Sequence, residues 1–163
     1  MAEMSDAEVG RIDLAIVAYR DEGEWTLAEL PEQVLDSVAT IVAELRRYPG
    51  ETGTLAFLAV DEDFALVIRV LGSTTRVLLS DATAATDWEL ARAAVDLIGT
   101  HVNIDDDDPI PAGDLGIVAD LGMPADDLAD LLDDLDLYPE EILSEIAERI
   151  GIGASFNELT GLD

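Results

Sequence analysis

GTLAFLAVDEDFALVIRVLGSTTRVLLSD, residues 53–81, holds three apolar runs separated by two short polar gaps. The runs are Thr54–Val60, Phe64–Leu71 and residues 76–80, each rich in Val, Ile, Leu and Phe and each of strand length. Asp61, Glu62 and Asp63 fill the first gap, and Gly72, Ser73 and Thr74 the second. Gaps this short join antiparallel neighbours, because a parallel pair needs a crossover of a dozen or more residues. The stretch therefore predicts a three-stranded meander. Leu55, Ala56, Phe57, Leu58, Ala59 and Val60 show no polar alternation, so the first of these strands is expected to be covered on both faces.

Upstream, residues 12–19 (IDLAIVAY) and 25–29 read as two further strands joined by a turn at Gly23. Pro31 opens a helix whose apolar face is Val34, Leu35, Val38, Ile41, Val42 and Leu45, and Tyr48-Pro49-Gly50 ends it. Downstream, Thr86 and Glu89 have capping-box spacing and start a second helix that stops at Gly99. The order strand–strand–helix–strand–strand–strand–helix predicts an α+β fold, a five-stranded antiparallel sheet with packed helices. Leu58, Phe57, Leu66, Ile68, Val77 and Leu79 are its expected core. The element order resembles that of the profilin, longin and roadblock group, a likeness that carries no function.

Four units are expected along the chain: a tail over 1–10, the sheet domain over 11–100, an acidic linker over 101–112, and a helical C-terminal part over 113–163. The linker, HVNIDDDDPIPA, combines four aspartates with two prolines. In the C-terminal part Leu128, Leu131, Leu132 and Leu135 mark one helix. Ile142, Leu143, Ile146, Ala147 and Ile150 mark another that starts after Tyr138-Pro139, and Gly151 and Gly153 end it.

Composition excludes several functions. The chain has 163 residues, 37 acidic and 8 basic, a formal charge of −29, and all its basic residues are arginine. Such a charge argues against direct nucleic-acid binding, which needs cations to displace counterions, and against anionic membranes. It favours a basic protein partner. With no cysteine, disulfides, thiolate metal sites and cysteine nucleophiles are excluded. No apolar run reaches membrane-spanning length and MAEMSDAEVG is no signal peptide, so a cytoplasmic location is expected. His101, the single histidine, has no metal spacing and no G-x-S-x-G partner, and reads as a loop residue. The aspartates at 105–108 fail the calcium-loop pattern, because Pro109 and Ile110 stand at its fifth and sixth positions. No metal or cofactor site is expected.

The charge is uneven. Residues 1–100 hold 19 acids and 7 arginines, net −12, whereas residues 101–163 hold 18 acids and Arg149, net −17. Asp126, Asp127, Asp130, Asp133, Asp134, Asp136, Glu140 and Glu141 fall mostly between apolar helical positions. They are the wet side of amphipathic helices, and they are also the residues expected to face a basic partner.

Several local stretches resemble one family. They include Val17-Ala18-Tyr19-Arg20, Arg46-Arg47-Tyr48-Pro49-Gly50-Glu51, Arg76-Val77-Leu78-Leu79-Ser80-Asp81, Ala119-Asp120-Leu121-Gly122-Met123 and Leu137-Tyr138-Pro139. Together, from about Ile12 to Phe156, they are similar to the actinobacterial tRNA adenosine deaminase-associated proteins. The resemblance implies association with the enzyme that converts adenosine to inosine in tRNA. It supplies no catalytic residue. Zinc deaminases need H-x-E followed by P-C-x-x-C, and this chain lacks both the cysteines and the glutamate. The expectation is a non-enzymatic accessory protein with no cofactor. The alternatives are a small-molecule binder or enzyme using carboxylates in a pocket, and a roadblock-like scaffold that forms homodimers.

Overall fold

Strand β3, Thr54–Val60, lies at the centre of the molecule, with every residue buried. The computed structural model describes residues 12–35, 37–48, 50, 53–86, 88–99, 111–134 and 136–161. The expected tail over 1–10, residues 101–110 of the expected linker, and His101 lie outside them. Around β3 stand β1 (Ile12–Asp21), β2 (Glu24–Glu29), β4 (Phe64–Leu71), β5 (Thr74–Leu79) and β6 (Ala112–Gly113). They form one antiparallel sheet in the order β2-β1-β3-β4-β5-β6. The meander is present, with its third strand running Thr74–Leu79 rather than over 76–80.

The sheet has six strands, which corrects the expected five. The sixth comes from the end of the stretch read as linker. Two residues give no periodic signal, so pattern reading has nothing to detect there. The local requirement is steric: Gly113 has φ +106°, and a Cβ there would lie 2.1 Å from the Val77 carbonyl oxygen. Only glycine fits that approach.

Among the described residues five α-helices cover the sheet: α1 (Val38–Leu45), α2 (Glu89–Ile98), α3 (Ala125–Leu132), α4 (Pro139–Arg149) and α5 (Gly153–Thr160). Alternate residues of each strand point to opposite faces. Val17, Ala56, Leu58, Leu66, Ile68, Val77 and Leu79 face one layer, where Ile41, Leu45, Trp88, Leu90 and Ala94 meet them. Ile16, Ala18, Leu55, Phe57, Ala65, Val67 and Leu78 face the other, which holds Ile117, Val118, Leu128, Leu143, Ile146 and Phe156. Two covered faces explain why β3 shows no polar alternation. All six expected core residues are buried, Val77 the least at 5% exposed.

Two helix starts differ from the reading. The helix expected from Pro31 is interrupted: a 3-10 turn spans Glu32–Val34 and α1 begins only at Val38. Ser37 is extended and its Oγ accepts from the Thr40 N–H at 3.1 Å. The Thr40 hydroxyl in turn reaches the Val34 carbonyl at 2.7 Å. A serine offers the backbone this alternative to a continuous helix, and the apolar period runs through the break unchanged. Likewise α2 is capped by Trp88 rather than opened by the Thr86–Glu89 spacing, after a 3-10 turn over Ala82–Thr86. The Trp88 indole, 2% exposed, donates to Asp63 Oδ2 at 2.7 Å, which fixes the entry into α2. Beyond the two C-terminal helices expected, α5 begins at Gly153, which was expected to end the helix before it. It is short, and its one fully buried side chain is Phe156, too little for a period.

Two arginines tie the C-terminal part to the sheet. Arg69 and Arg76 are cross-strand neighbours on β4 and β5, where like charges alone would repel. Arg69, 3% exposed, makes a bidentate pair with Asp120 at 2.6 and 2.9 Å and donates to the Ile117 carbonyl at 2.7 Å. Arg76 pairs with Asp114 and donates to the Gly116 carbonyl at 2.7 Å. Segment 114–120 is thus held from both ends of its turn, and it delivers the chain to α3.

Candidate acidic interaction face

Helix α3 follows Pro124, and its first turn carries Asp126 and Asp127, which suit the positive end of the helix dipole. Leu128 and Leu132 turn inward, so Asp130 between them turns out. Asp126, Asp130, Asp133, Asp134 and Asp136 are exposed. Asp127 is half-buried and ion-paired with Arg149 of α4, so it is partly neutralised. Asp134 Oδ1 accepts the Asp136 N–H at 3.1 Å, a local turn bond. Pro139 begins α4, and Glu141 reaches back to accept the Tyr138 N–H at 3.0 Å. Six of the eight expected acids therefore lie fully at the surface, and Asp127 and Glu140 are half-buried.

The face extends further than the helices. Glu140 sits close enough to Asp13 and Glu62 to feel both charges. A cavity of about 140 Å³ joins Glu62, Asp63, Ser80 and Asp81 of the strand ends to Leu132, Asp134, Leu137, Pro139 and Ile142. The β3–β4 turn that presents Glu62 and Asp63 is tight, with Asp61 and Glu62 both at positive φ. Glu62 and Asp63 fall in the short polar gap between two apolar runs. The triple acid at 61–63 was the signal, but only folding places it beside Asp134 and Glu140. Asp63 is held by Trp88, and Asp81 Oδ1 accepts the Thr83 N–H at 3.0 Å, so both also serve the local structure.

Arginines contribute little to any exposed positive surface. Among the seven described, Arg47, Arg69, Arg76, Arg92 and Arg149 are ion-paired. Arg20 lies on the Trp25 ring at 5.0 Å, and neither Arg20 Nε nor Trp25 Nε1 has a partner among the described residues.

Three carboxyl groups report their surroundings. Asp114 and Asp120 are held below the ordinary 3.8, chiefly by the hydrogen bonds from Arg76 and Arg69. Glu140 is pushed above the ordinary 4.5, first by burial, then by the charges of Asp13, Glu62 and Glu141. Folding therefore raises the proton affinity of Glu140 and lowers that of the two aspartates. As pH falls from neutral through the range above 4.5, Glu140 takes its proton preferentially in the folded state, which stabilises the fold. The aspartates contribute fully above 3.8, and their contribution is lost as pH falls through their depressed values. The melting temperature is expected to rise on mild acidification and then to fall below about pH 4. Differential scanning calorimetry across this range checks it; a steady fall from neutral pH downward contradicts it.

Among the described residues no helix is long and apolar enough to cross a membrane, and no group of three or more potential ligands is placed to hold a metal. No solved structure matches the chain. It is 35% identical over 139 residues to Protein Rv3753c of Mycobacterium tuberculosis, strain ATCC 25618 / H37Rv, across 83% of this chain and 80% of the relative. The sequence profile of the Rv3753c-like tRNA adenosine deaminase-associated proteins matches residues 13–153. With most of both chains aligned and the profile spanning all but the first residue of the sheet and four of the five described helices, this chain belongs to the Rv3753c-like tRNA adenosine deaminase-associated protein family.

Proposed function

We propose that the chain is a non-enzymatic accessory protein that docks through its acidic face on a tRNA adenosine deaminase in the cytoplasm. The observation that carries this reading is the charge of the helical layer. Residues 125–160 hold eleven acids and one arginine, net −10, and Asp126, Asp130, Asp133, Asp134, Asp136 and Glu141 among them are exposed. The family description, deaminase-associated, supports that enzyme as the partner. A tRNA-binding enzyme must itself present cations to phosphates, so its surface is complementary. The same logic makes direct tRNA binding by this chain unfavourable, since five of its seven described arginines are already ion-paired.

The carboxylates around the 140 Å³ cavity give little support to an acid–base pocket. Ligand sites are commonly of about 300–1,000 Å³. Asp63, Asp81 and Asp134 are moreover committed to local hydrogen bonds.

Calorimetry with the chain and the deaminase of one host tests the proposal. Binding is expected at low salt, with affinity falling at least tenfold towards physiological salt. Replacing Asp130, Asp133, Asp134 and Asp136 with Lys is expected to abolish it. An absence of binding at low salt, or an affinity indifferent to salt and to the reversal, overturns acidic docking.

A further inference from the structure

The opposite side of the molecule has a different character. A groove of about 630 Å³ runs between α1 and α2, with Val38, Val42, Ala93 and Leu97 among its lining residues. Leu97 is 50% exposed, one of three large apolar side chains so exposed among the described residues. The groove also holds one charge of each sign. Arg46, at the end of α1, is exposed and donates to the Thr75 hydroxyl at 3.4 Å. Asp96 stands on α2, exposed to solvent.

The charge of this face sets it apart. Residues 38–47 hold Glu44, Arg46 and Arg47, net +1, and residues 89–98 hold Glu89, Arg92 and Asp96, net −1. Glu44 pairs with Arg47 and Glu89 with Arg92. The two helices are together neutral, in a chain of net charge −29, while residues 125–160 on the other side of the sheet, helices and connecting turns together, carry net −10.

We propose that this groove is a self-association surface, on which a second copy of the chain docks across a two-fold axis. A partner that fits must be apolar along the groove and must present an anion opposite Arg46 and a cation opposite Asp96. A two-fold copy does both by symmetry, setting Arg46 of each chain against Asp96 of the other. Two copies of an acidic protein repel, but this approach keeps their acidic helices far apart. Each acidic layer lies beyond its own sheet, roughly 20 Å from the contact, against a screening length of about 8 Å at physiological ionic strength. Any approach through the opposite layer, residues 125–160, would set net −10 against net −10 directly.

The test is sedimentation equilibrium on the full chain at physiological salt, with circular dichroism to confirm that each variant is folded. The wild type is expected to be dimeric. Arg46→Asp and Asp96→Arg are each expected to weaken association at least tenfold, because each sets like charges across the axis twice. The double variant Arg46→Asp/Asp96→Arg is expected to restore it. A wild-type monomer at all concentrations, a dimer indifferent to the single reversals, or a double variant that stays monomeric overturns the proposal. These substitutions lie across the sheet from the acidic face, so failure here and failure of deaminase docking are separate results.

Discussion

Ile68→Asp is expected to abolish folding. Ile68 lies in the middle of β4, is fully buried, and faces the layer built by α1 and α2. A carboxylate there meets only apolar neighbours, and an unpaired buried charge costs several kcal/mol even after relaxation. That is a large share of the roughly 5–15 kcal/mol by which a whole domain is stable. Circular dichroism and thermal melting read the outcome. A variant folded and as heat-stable as the parent means that β4 is not the sheet's interior strand.

Phe156→Ala is expected to destabilise the whole protein by about 3–5 kcal/mol. Phe156 is the fully buried side chain of α5, and its ring meets Phe57 of β3 edge-on at 5.8 Å between centroids. Truncation leaves a cavity at the junction of the C-terminal helices and the central strand. For a chain of this length the shift corresponds to roughly 6–20 °C in melting temperature. The transition should remain single, because the second sheet face loses its cover if the helices detach. A melt in which the helical signal separates from that of the sheet, or an unchanged melting temperature, would show that residues 125–160 fold independently.

The parts of the fold legible in the sequence are those whose burial is one-sided or continuous. Strands β3 and β4 have the limits read from their apolar runs, and the uninterrupted LAFLAV told that both faces of β3 are covered. What covers the second face was not legible. An amphipathic helix states which side is apolar, but not which surface receives it. Strand β6 escaped because it is two residues beside a polar stretch, specified by the close approach of Gly113 to Val77. The break before α1 escaped because Ser37 acts through one hydrogen bond while the apolar spacing continues past it.

The site follows the same division. Asp126, Asp130 and Glu141 could be placed on the wet side of helices from their spacing alone, whereas Asp133, Asp134 and Asp136, expected on the same helix, fall in the turn after α3; the structure exposes all six. Their union with Glu62, Asp63 and Asp81 depends on packing across the sheet, so no local pattern contains it. The charge contrast between the two helical layers is hidden for a similar reason. Residues 1–100 carry net −12 overall, and only the structure shows that α1 and α2 form a neutral surface within them.

Hydrogen–deuterium exchange of the chain, alone and saturated with the deaminase of its own host, tests the central claim most directly. Acidic docking predicts slowed exchange in α3, in the turn leading to Pro139, and in the β3–β4 turn around Glu62, with α1 and α2 unchanged. Protection confined to α1 and α2, or no protection under conditions where the two proteins demonstrably form a complex, would contradict it.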